Sequence, residues 1–287
     1  MDAHVERNRP HAAHAPVIYR TFVPPPPYDG FIETLWYWEG FDPGHAKDTI
    51  MASGRVGIMV NLREDSLTWY DGERYGRRNR IPGIAVCGTH STHFAIDAYQ
   101  ASNMGVQFRA GGAFAFFGGS ARDFANAHVS LADIWGADAR RLHQRLVQAP
   151  TPEEKIAILF RAVVGRFQER ERHPAVSLAL ARLARAPHRT SIRAIAREAE
   201  VSAKRLIHLF SEQVGVTPKL YLRVLRFQRV LERVHMAPSV DWMEEVERHG
   251  YYDQPHFIRE FREFSGFTPT EYFKLRGPYL QHVPLTA

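Results

Sequence analysis

Residues 249–273 have the sequence HGYYDQPHFIREFREFSGFTPTEYF, in which aromatic residues recur at helical spacing and end at a Gly-Phe-Thr-Pro turn. Much of this stretch repeats residues 202–222, SAKRLIHLFSEQVGVTPKLYL. The pattern F-x4-G-x-TP-x2-Y occurs in both, starting at Phe210 and at Phe261, 51 positions apart. Extending that offset backward pairs Ile192 with Met243 without a gap. The sequence therefore predicts two copies of one structural unit.

Each copy has the pattern of two short helices joined by a tight turn. In the first copy Thr190 is the expected N-cap of the first helix, Ser202 caps the second, and Gly215 supplies a left-handed stop. This is the helix-turn-helix pattern, and we expect units at 190–216 and 240–267. Pro218 starts a linker helix over 218–235. In the second copy the expected core is formed by Tyr252, Phe257, Phe261 and Phe264.

A helical wheel places polar, mostly basic residues on the outer face of the second helix of each copy. These candidate DNA-contacting residues are Lys204, Arg205, His208 and Ser211 in the first copy, and Gln254, His256, Arg259 and Arg262 in the second. On the linker helix Lys219, Arg226, Arg229 and Arg233 lie opposite the apolar stripe. Their face either contacts phosphate or is an ordinary solvated surface.

Charge is divided unevenly between the two copies. Residues 187–236 carry ten Lys and Arg against four acids, whereas residues 237–287 carry five against eight. The balances of +6 and −3 predict that the first copy and the linker helix supply most of the phosphate attraction.

The C-terminal hundred residues resemble the DNA-binding domain of AraC/XylS-type transcriptional regulators. The resemblance rests on the doubled F-x4-G-x-TP-x2-Y pattern and on GYYDQPHFIREF in the second copy. It implies two helix-turn-helix units that read successive major-groove segments. Pro255 departs from the family pattern, in which a side-chain donor is usual there, and this shifts the expected base reading toward Gln254 and Arg259.

The region before the repeat is predicted to be a β domain followed by helices. Short β-type runs between turn residues cover 31–117, and helices are expected over 121–127, 137–148, 152–170 and 174–186. In the third helix an apolar stripe packs on the β domain or forms a dimer seam. FIETLWYWEG and GVQFRAGGAFAFFGGSARDFANAHVSLADIWG resemble the cupin-like sensor half of the same family. Aromatic residues that line an effector pocket or simply fill the core are Trp36, Trp38, Trp69 and Phe108.

Composition narrows the class of protein further. The chain has a net charge of +6 and one cysteine, Cys87, which excludes a disulfide framework or a thiolate-cluster metal site. It lacks a long apolar run or a signal-peptide core, so we expect a cytoplasmic protein with no membrane partner. His90 and His93 are spaced His-x2-His, which on a strand places them on opposite faces. We therefore expect no metal, no cofactor and no catalytic residue.

Together these patterns predict an α+β chain with an arm without fold over 1–28, a cupin-like sensor domain over 29–118, a helical connector over 119–186 and a DNA-binding domain over 187–287. The expected function is sequence-specific transcription regulation, and the resemblance implies a response to an effector. The expected partners are double-stranded DNA, a small-molecule effector, RNA polymerase if the protein activates, and a second copy in a homodimer. The alternatives are a cupin-type enzyme with a helical appendage and a nonspecific architectural DNA binder.

Overall fold

The first half of the described chain contains ten antiparallel strands. The computed structural model describes residues 17–41, 44–185 and 190–285. The strands are β1 (Ile18–Phe22), β2 (Ile32–Phe41), β3 (Lys47–Ile50), β4 (Gly57–Asn61), β5 (Ser66–Asp71), β6 (Arg77–Pro82), β7 (Ile84–Cys87), β8 (Phe94–Asp97), β9 (Gln100–Phe108), β10 (His128–Ser130) and β11 (His282–Pro284). They form one sheet in the order β1-β2-β9-β4-β7-β10 and a second in the order β11-β3-β8-β5-β6. We call strands β1 to β10 the β domain.

Helices follow the β domain and fill the C-terminal part. They are α1 (Phe114–Phe117), α2 (Leu131–Trp135), α3 (Ala137–Gln148), α4 (Pro152–Val164), α5 (Pro174–Arg185), α6 (Ile192–Glu198), α7 (Ala203–Val214), α8 (Pro218–Val234), α9 (Trp242–Arg248), α10 (Gln254–Ser265) and α11 (Pro269–Leu275). The predicted class, a cupin-like β domain followed by helices and a helical C-terminal part, is confirmed, but the C-terminal part is not all-α because it also contains β11. None of the described helices is both long and apolar enough to cross a membrane.

The apolar stripe of α4 is part of the main core of the β domain. Ile156, Leu159 and Val163 are buried there in one cluster with residues of the six-stranded sheet, such as Leu35 and Val106. The packing interpretation of the stripe is therefore confirmed, and the stripe is not available as a dimer seam. Burial of such a stripe provides most of the stability of a short helix in water.

Three predicted elements need correction. Residues 1–16 lie outside the described part of the chain, but Ile18–Phe22 of the predicted arm forms β1 and pairs with β2, so an arm without fold is wrong for this part. The helix expected over 152–170 ends at Val164. The helix expected over 121–127 is a 3-10 turn of four residues, Ala121–Phe124.

The strand β11 joins the C-terminal part to the β domain. It pairs antiparallel with β3, with Val283 opposite Thr49. Beside this pairing the buried carboxylate of Asp48 lies 2.7 Å from Nε2 of His45 and 3.2 Å from Nδ1 of His282. Burial alone would raise the pKa of Asp48, but the hydrogen bonds from the two histidines outweigh it and lower the pKa. The residues predicted as the DNA-binding domain thus complete a sheet of the predicted sensor domain.

Candidate nucleic-acid interface

The first helix-turn-helix unit consists of α6 and α7. Ser191 caps α6 through its side chain, and the predicted cap, Thr190, is wrong because its hydroxyl donates to the carbonyl of Arg182 instead. Ser202 caps α7 as predicted. Gly215 ends α7 with a φ of 97°, in the left-handed region that favours glycine. We call α7 and α10, the second helix of each unit, the recognition helices.

The second unit, α9 and α10, is built from the same kinds of cap. Asp241 caps α9 and Asp253 caps α10, each by accepting hydrogen bonds from backbone N–H groups of the first turn. Pro255 lies in the first turn of α10, where its missing N–H removes no helical hydrogen bond. Gly266 ends α10 with a φ of 84°. Pro255 therefore fits the helix, although it offers no donor to a base.

The sequence repeat predicted that one fixed offset relates the two units. The structure shows that this is wrong. α7 and α10 start 51 residues apart, but α6 and α9 start at Ile192 and Trp242, only 50 apart. The pairing of Ile192 with Met243 is therefore wrong by one residue. The turn of the second unit holds one more residue, so Tyr251 is buried beside Phe257 with ring centroids 4.9 Å apart. Tyr252, predicted in the core, is 91% exposed on this turn.

The outer face of α7 is exposed over its first two turns. Lys204, Arg205 and His208 are all exposed there, and Nε2 of His208 lies 3.4 Å from the carboxylate of Glu212. Ser211 is only 7% exposed, so its predicted place on this face is wrong. It is buried because the last turn of α7 packs against the β domain. We therefore drop Ser211 from the candidate interface.

The outer face of α10 is exposed along its length. Gln254, Arg259 and Arg262 are exposed, and Arg259 makes no ion pair with any described residue. His256 is half-buried, with its ring 5.7 Å from that of Tyr251. The two recognition helices thus each present cationic and hydrogen-bonding side chains, the residue types that contact bases and phosphates in a major groove.

The arginines of the linker helix α8 pair with acids of the second unit. Nε of Arg223 and Nη2 of Arg226 lie 2.7 and 3.1 Å from the carboxylate of Glu260, whose side chain is 1% exposed. Nε of Arg233 donates to Glu245 at 2.5 Å. Three of the basic residues counted in the +6 balance are therefore paired with acids of the second unit within the protein. The predicted exposed face is wrong for Arg226, whose side chain is 14% exposed, and we drop it as a DNA-contacting residue.

A cavity of about 250 Å³ lies between the two sheets of the β domain. Trp36 of β2 and Trp69 of β5 line it, as predicted for an effector pocket. The other two predicted residues do not line it. The ring of Trp38 packs against those of Tyr19 and Tyr279, and Phe108 is fully buried in the main core.

Two histidines lie side by side at this cavity. His128 stacks on Trp69 with ring centroids 4.5 Å apart, and His90 lies 4.6 Å from His128. Burial lowers the pKa of His90 to about 4. Burial and then the neighbouring His90 lower the pKa of His128 to about 3. Burial raises the pKa of Cys87, which also lines the cavity, to about 12, so its thiol stays protonated.

Acidification should destabilise the β domain through His128. Its pKa of about 3 in the folded protein lies below the value near 6.5 of an unfolded chain, so the unfolded state binds more protons as the pH falls. From pH 7 to pH 5 this group should remove roughly 2 kcal/mol from the free energy of unfolding. His128→Phe keeps the stacking on Trp69. In urea unfolding, its loss of free energy of unfolding between pH 7 and pH 5 should be smaller than that of the wild type by this amount. His208→Phe, an exposed control, should behave as the wild type; equal losses in all three proteins would contradict the assignment.

Comparison with known families agrees with this geometry. A family model described as a helix-turn-helix domain matches residues 195–275, which cover most of both units. The chain carries an AraC-type helix-turn-helix domain. A second model, a domain of unknown function (DUF6597), matches residues 20–130, the extent of the β domain. An AraC-type domain makes the chain a DNA-binding transcriptional regulator.

Several solved structures are similar to this chain. The C-terminal domain of AraT, a response regulator from Geobacillus stearothermophilus, is 21% identical over 38% of this chain and 93% of its own, with a TM-score of 0.35. ToxT from Vibrio cholerae O395 is 11% identical over 85% and 97%, with a TM-score of 0.44. The AraC-like transcriptional activator CuxR is 15% identical over 80% and 86%, with a TM-score of 0.29. None of the curated proteins matches the chain at a significant level.

Proposed function

We propose that this regulator reads two successive major-groove segments with α7 and α10 and responds to a small molecule held in the β-domain cavity. Residues 187–287 are then the DNA-binding domain, 119–186 the helical connector and 29–118 the sensor domain. The candidate contacts are Lys204, Arg205 and His208 in the first unit, and Gln254, His256, Arg259 and Arg262 in the second. Tyr252 joins them as a candidate phosphate contact, because tyrosine hydroxyls commonly bind backbone phosphates.

The observation that carries the proposal is the contrast between the recognition helices and the linker helix. The arginines of α8 that pair with Glu260 and Glu245 are engaged within the protein, whereas Arg205 and Arg259 are exposed. Exposed cationic side chains are therefore present on the two faces that enter a groove in helix-turn-helix proteins. Their position on these faces favours base reading over a contribution from the linker helix alone.

The cavity supports the effector part of the proposal. Its walls combine aromatic rings, Trp36 and Trp69, with polar groups that have no partner within the described residues. Nε2 of His90 and Oγ of Ser66 are both buried and make no hydrogen bond there. Buried polar groups without partners are costly, and a ligand that supplies them would bind with specificity. A homodimer and a contact with RNA polymerase remain further proposals for the intact regulator.

Selection of bound DNA from a random pool, followed by footprinting, tests the DNA-reading proposal. We expect a discrete site of about two helical turns for each protein molecule. Arg259→Ala should weaken binding to that site by about 1 to 3 kcal/mol and relax the preference at particular base pairs. The reason is that Arg259 is exposed on the middle of α10 and makes no ion pair with any described residue.

Arg140→Ala is the matched control, since Arg140 is an exposed arginine of α3 far along the chain from both units. It removes the same charge and should leave the base preference unchanged. A pool that shows no enriched sequence would contradict specific reading. If Arg259→Ala lowers the affinity for all DNA sequences equally, Arg259 contacts phosphate and does not read a base.

A further inference from the structure

The 89–93 segment, Thr-His-Ser-Thr-His, follows β7 and contacts the end of the first recognition helix. Oγ1 of Thr89 donates a hydrogen bond of 2.8 Å to the carbonyl of Val214, the last residue of α7, and Thr89 is fully buried. A Cβ atom added at Gly215 would lie 2.7 Å from the same Oγ1. The C-terminal end of α7 therefore rests directly on Thr89.

The other end of the same segment lies against the second recognition helix. A Cβ atom added at Gly266, which ends α10, would lie 3.2 Å from Nδ1 of His93 and 3.1 Å from the hydroxyl of Tyr75. This hydroxyl is 2.7 Å from Nδ1 of His93. Because Oγ1 of Thr49 donates to the tyrosine oxygen at 3.3 Å, the tyrosine proton is directed to His93. Both recognition helices thus end on one short segment.

Tyr75 is held in place by an unusual backbone. Its φ is 58°, in the left-handed region that aromatic residues rarely adopt, and the preceding Arg74 has a φ of 50°. Such conformations persist where the surrounding structure requires them, and they are frequent at functional positions. Here the consequence is that the Tyr75 hydroxyl meets the end of α10.

The middle of the segment forms part of the cavity wall and is fixed from two sides. His90 lines the cavity, and its carbonyl accepts a hydrogen bond of 3.1 Å from the N–H of Gly54. The N–H of Ser91 donates to Oδ1 of Asn126 at 2.7 Å, and the N–H of Asn126 donates to the carbonyl of Thr89 at 3.1 Å. The segment is therefore held at its middle as well as at its two ends.

A second connection ties the cavity wall to the linker helix and the second unit. Met51, which lines the cavity, is fully buried in one cluster with Phe227 of α8 and Phe264 of α10. The N–H of Ala52 donates to the carbonyl of Phe264 at 2.9 Å. The position of α10 thus depends on the β domain as well as on the linker helix.

We propose that Thr89, His93 and Tyr75 are positioning residues that fix the spacing between the two recognition helices on DNA. An occupant of the cavity that contacts His90 then acts on both helices through the single 89–93 segment. The His-x2-His motif lies in the loop between β7 and β8 and not on a strand, as its spacing argument assumed, and it has this different use because one histidine faces the cavity and the other faces α10. The inference rests on the proposed reading of two groove segments.

The test compares affinities of the full-length protein for DNA sites of altered spacing. Thr89→Val removes the hydrogen bond to Val214, Tyr75→Phe removes the hydroxyl between His93 and Gly266, and Thr92→Val is the control on an exposed residue of the same segment. The DNA probes are the selected site, each half-site alone, and the site with one base pair added or removed between its halves. Wild type and Thr92→Val should prefer one spacing.

Thr89→Val and Tyr75→Phe should each reduce that spacing preference at least threefold, while their affinities for single half-sites stay within twofold of wild type. An unchanged preference in both variants would overturn the proposal. If Thr89→Val fails to fold, as judged by loss of cooperative melting, Tyr75→Phe decides the question. A wild-type protein that binds no site with two halves would instead refute the proposed function, so the two failures are distinct.

Hydrogen exchange tests the cavity end without a ligand. His90→Phe changes the wall but leaves the side chains of Thr89 and His93 in place. It should alter amide exchange at Gly215 and Gly266 together, relative to the Thr92→Val control. A change at one glycine only, or at neither, would contradict a shared route.

Discussion

Replacing Glu260 with glutamine should lower the free energy of unfolding by about 3 kcal/mol, because it removes the charge of a buried ion pair. The carboxylate of Glu260 is 1% exposed and accepts from both Arg223 and Arg226. The side chain of Arg226 also lies over the ring of Tyr251, 4.6 Å from its centroid. Without the carboxylate two guanidinium groups would remain close together and only partly hydrated. We expect α8 and the second unit to separate first.

Glu263→Gln is the matched control, since Glu263 pairs with the same Arg223 but its side chain is 48% exposed. An exposed pair of this kind contributes less than about 1 kcal/mol. Urea unfolding followed by circular dichroism measures both variants. Equal losses of unfolding free energy for the two substitutions would show that the buried ion pair stabilises the protein no more than the exposed one.

Phe227→Ala should have the largest effect on stability, a loss of about 4 kcal/mol from the removed ring and the space it leaves. Phe227 is fully buried, with ring centroids 5.1 Å from Phe261 and 5.5 Å from Phe264. The same cluster contains Met51 of the β domain. The substitution should therefore weaken both the second unit and its attachment to the β domain.

The measurement is the denaturant midpoint of the variant beside that of Tyr252→Ala. Tyr252 is 91% exposed, so its removal should change stability by less than about 0.5 kcal/mol while reducing DNA affinity if it contacts phosphate. A similar loss of stability from both aromatic residues would contradict the register that places Tyr251, and not Tyr252, in the core.

The repeat predicted the recognition helices well because each has capping residues at both of its ends. Ser202 and Gly215 define α7 at its two ends by capping chemistry, and Asp253 and Gly266 do the same for α10. The first helices have seven residues each and no such shared pattern. A one-residue difference in the turn therefore went undetected, and it exchanged the positions of Tyr251 and Tyr252.

Tertiary contacts between distant residues were harder to predict than helices and strands. The helical wheel placed Arg226 opposite the apolar stripe of α8, but a wheel does not show what packs against that side. The opposite charge balances of the two units already indicated these ion pairs, since unlike charges within one domain tend to pair. Similarly, Trp36 and Trp38 lie two residues apart on β2 and therefore on one face, but this spacing does not show that Trp36 reaches the cavity and Trp38 does not.

The pairing of β11 with β3 has a consequence for synthesis of the protein. Asp48 and His282, which meet beside this pair, are 234 residues apart in sequence. While the ribosome translates the intervening chain, β3 has an open edge that can pair with other strands. The sheet of a nascent chain is completed only when residues 282–284 emerge, after both recognition helices have been made. Incomplete chains should therefore be prone to aggregation, and a chain whose second sheet is complete already contains α7 and α10.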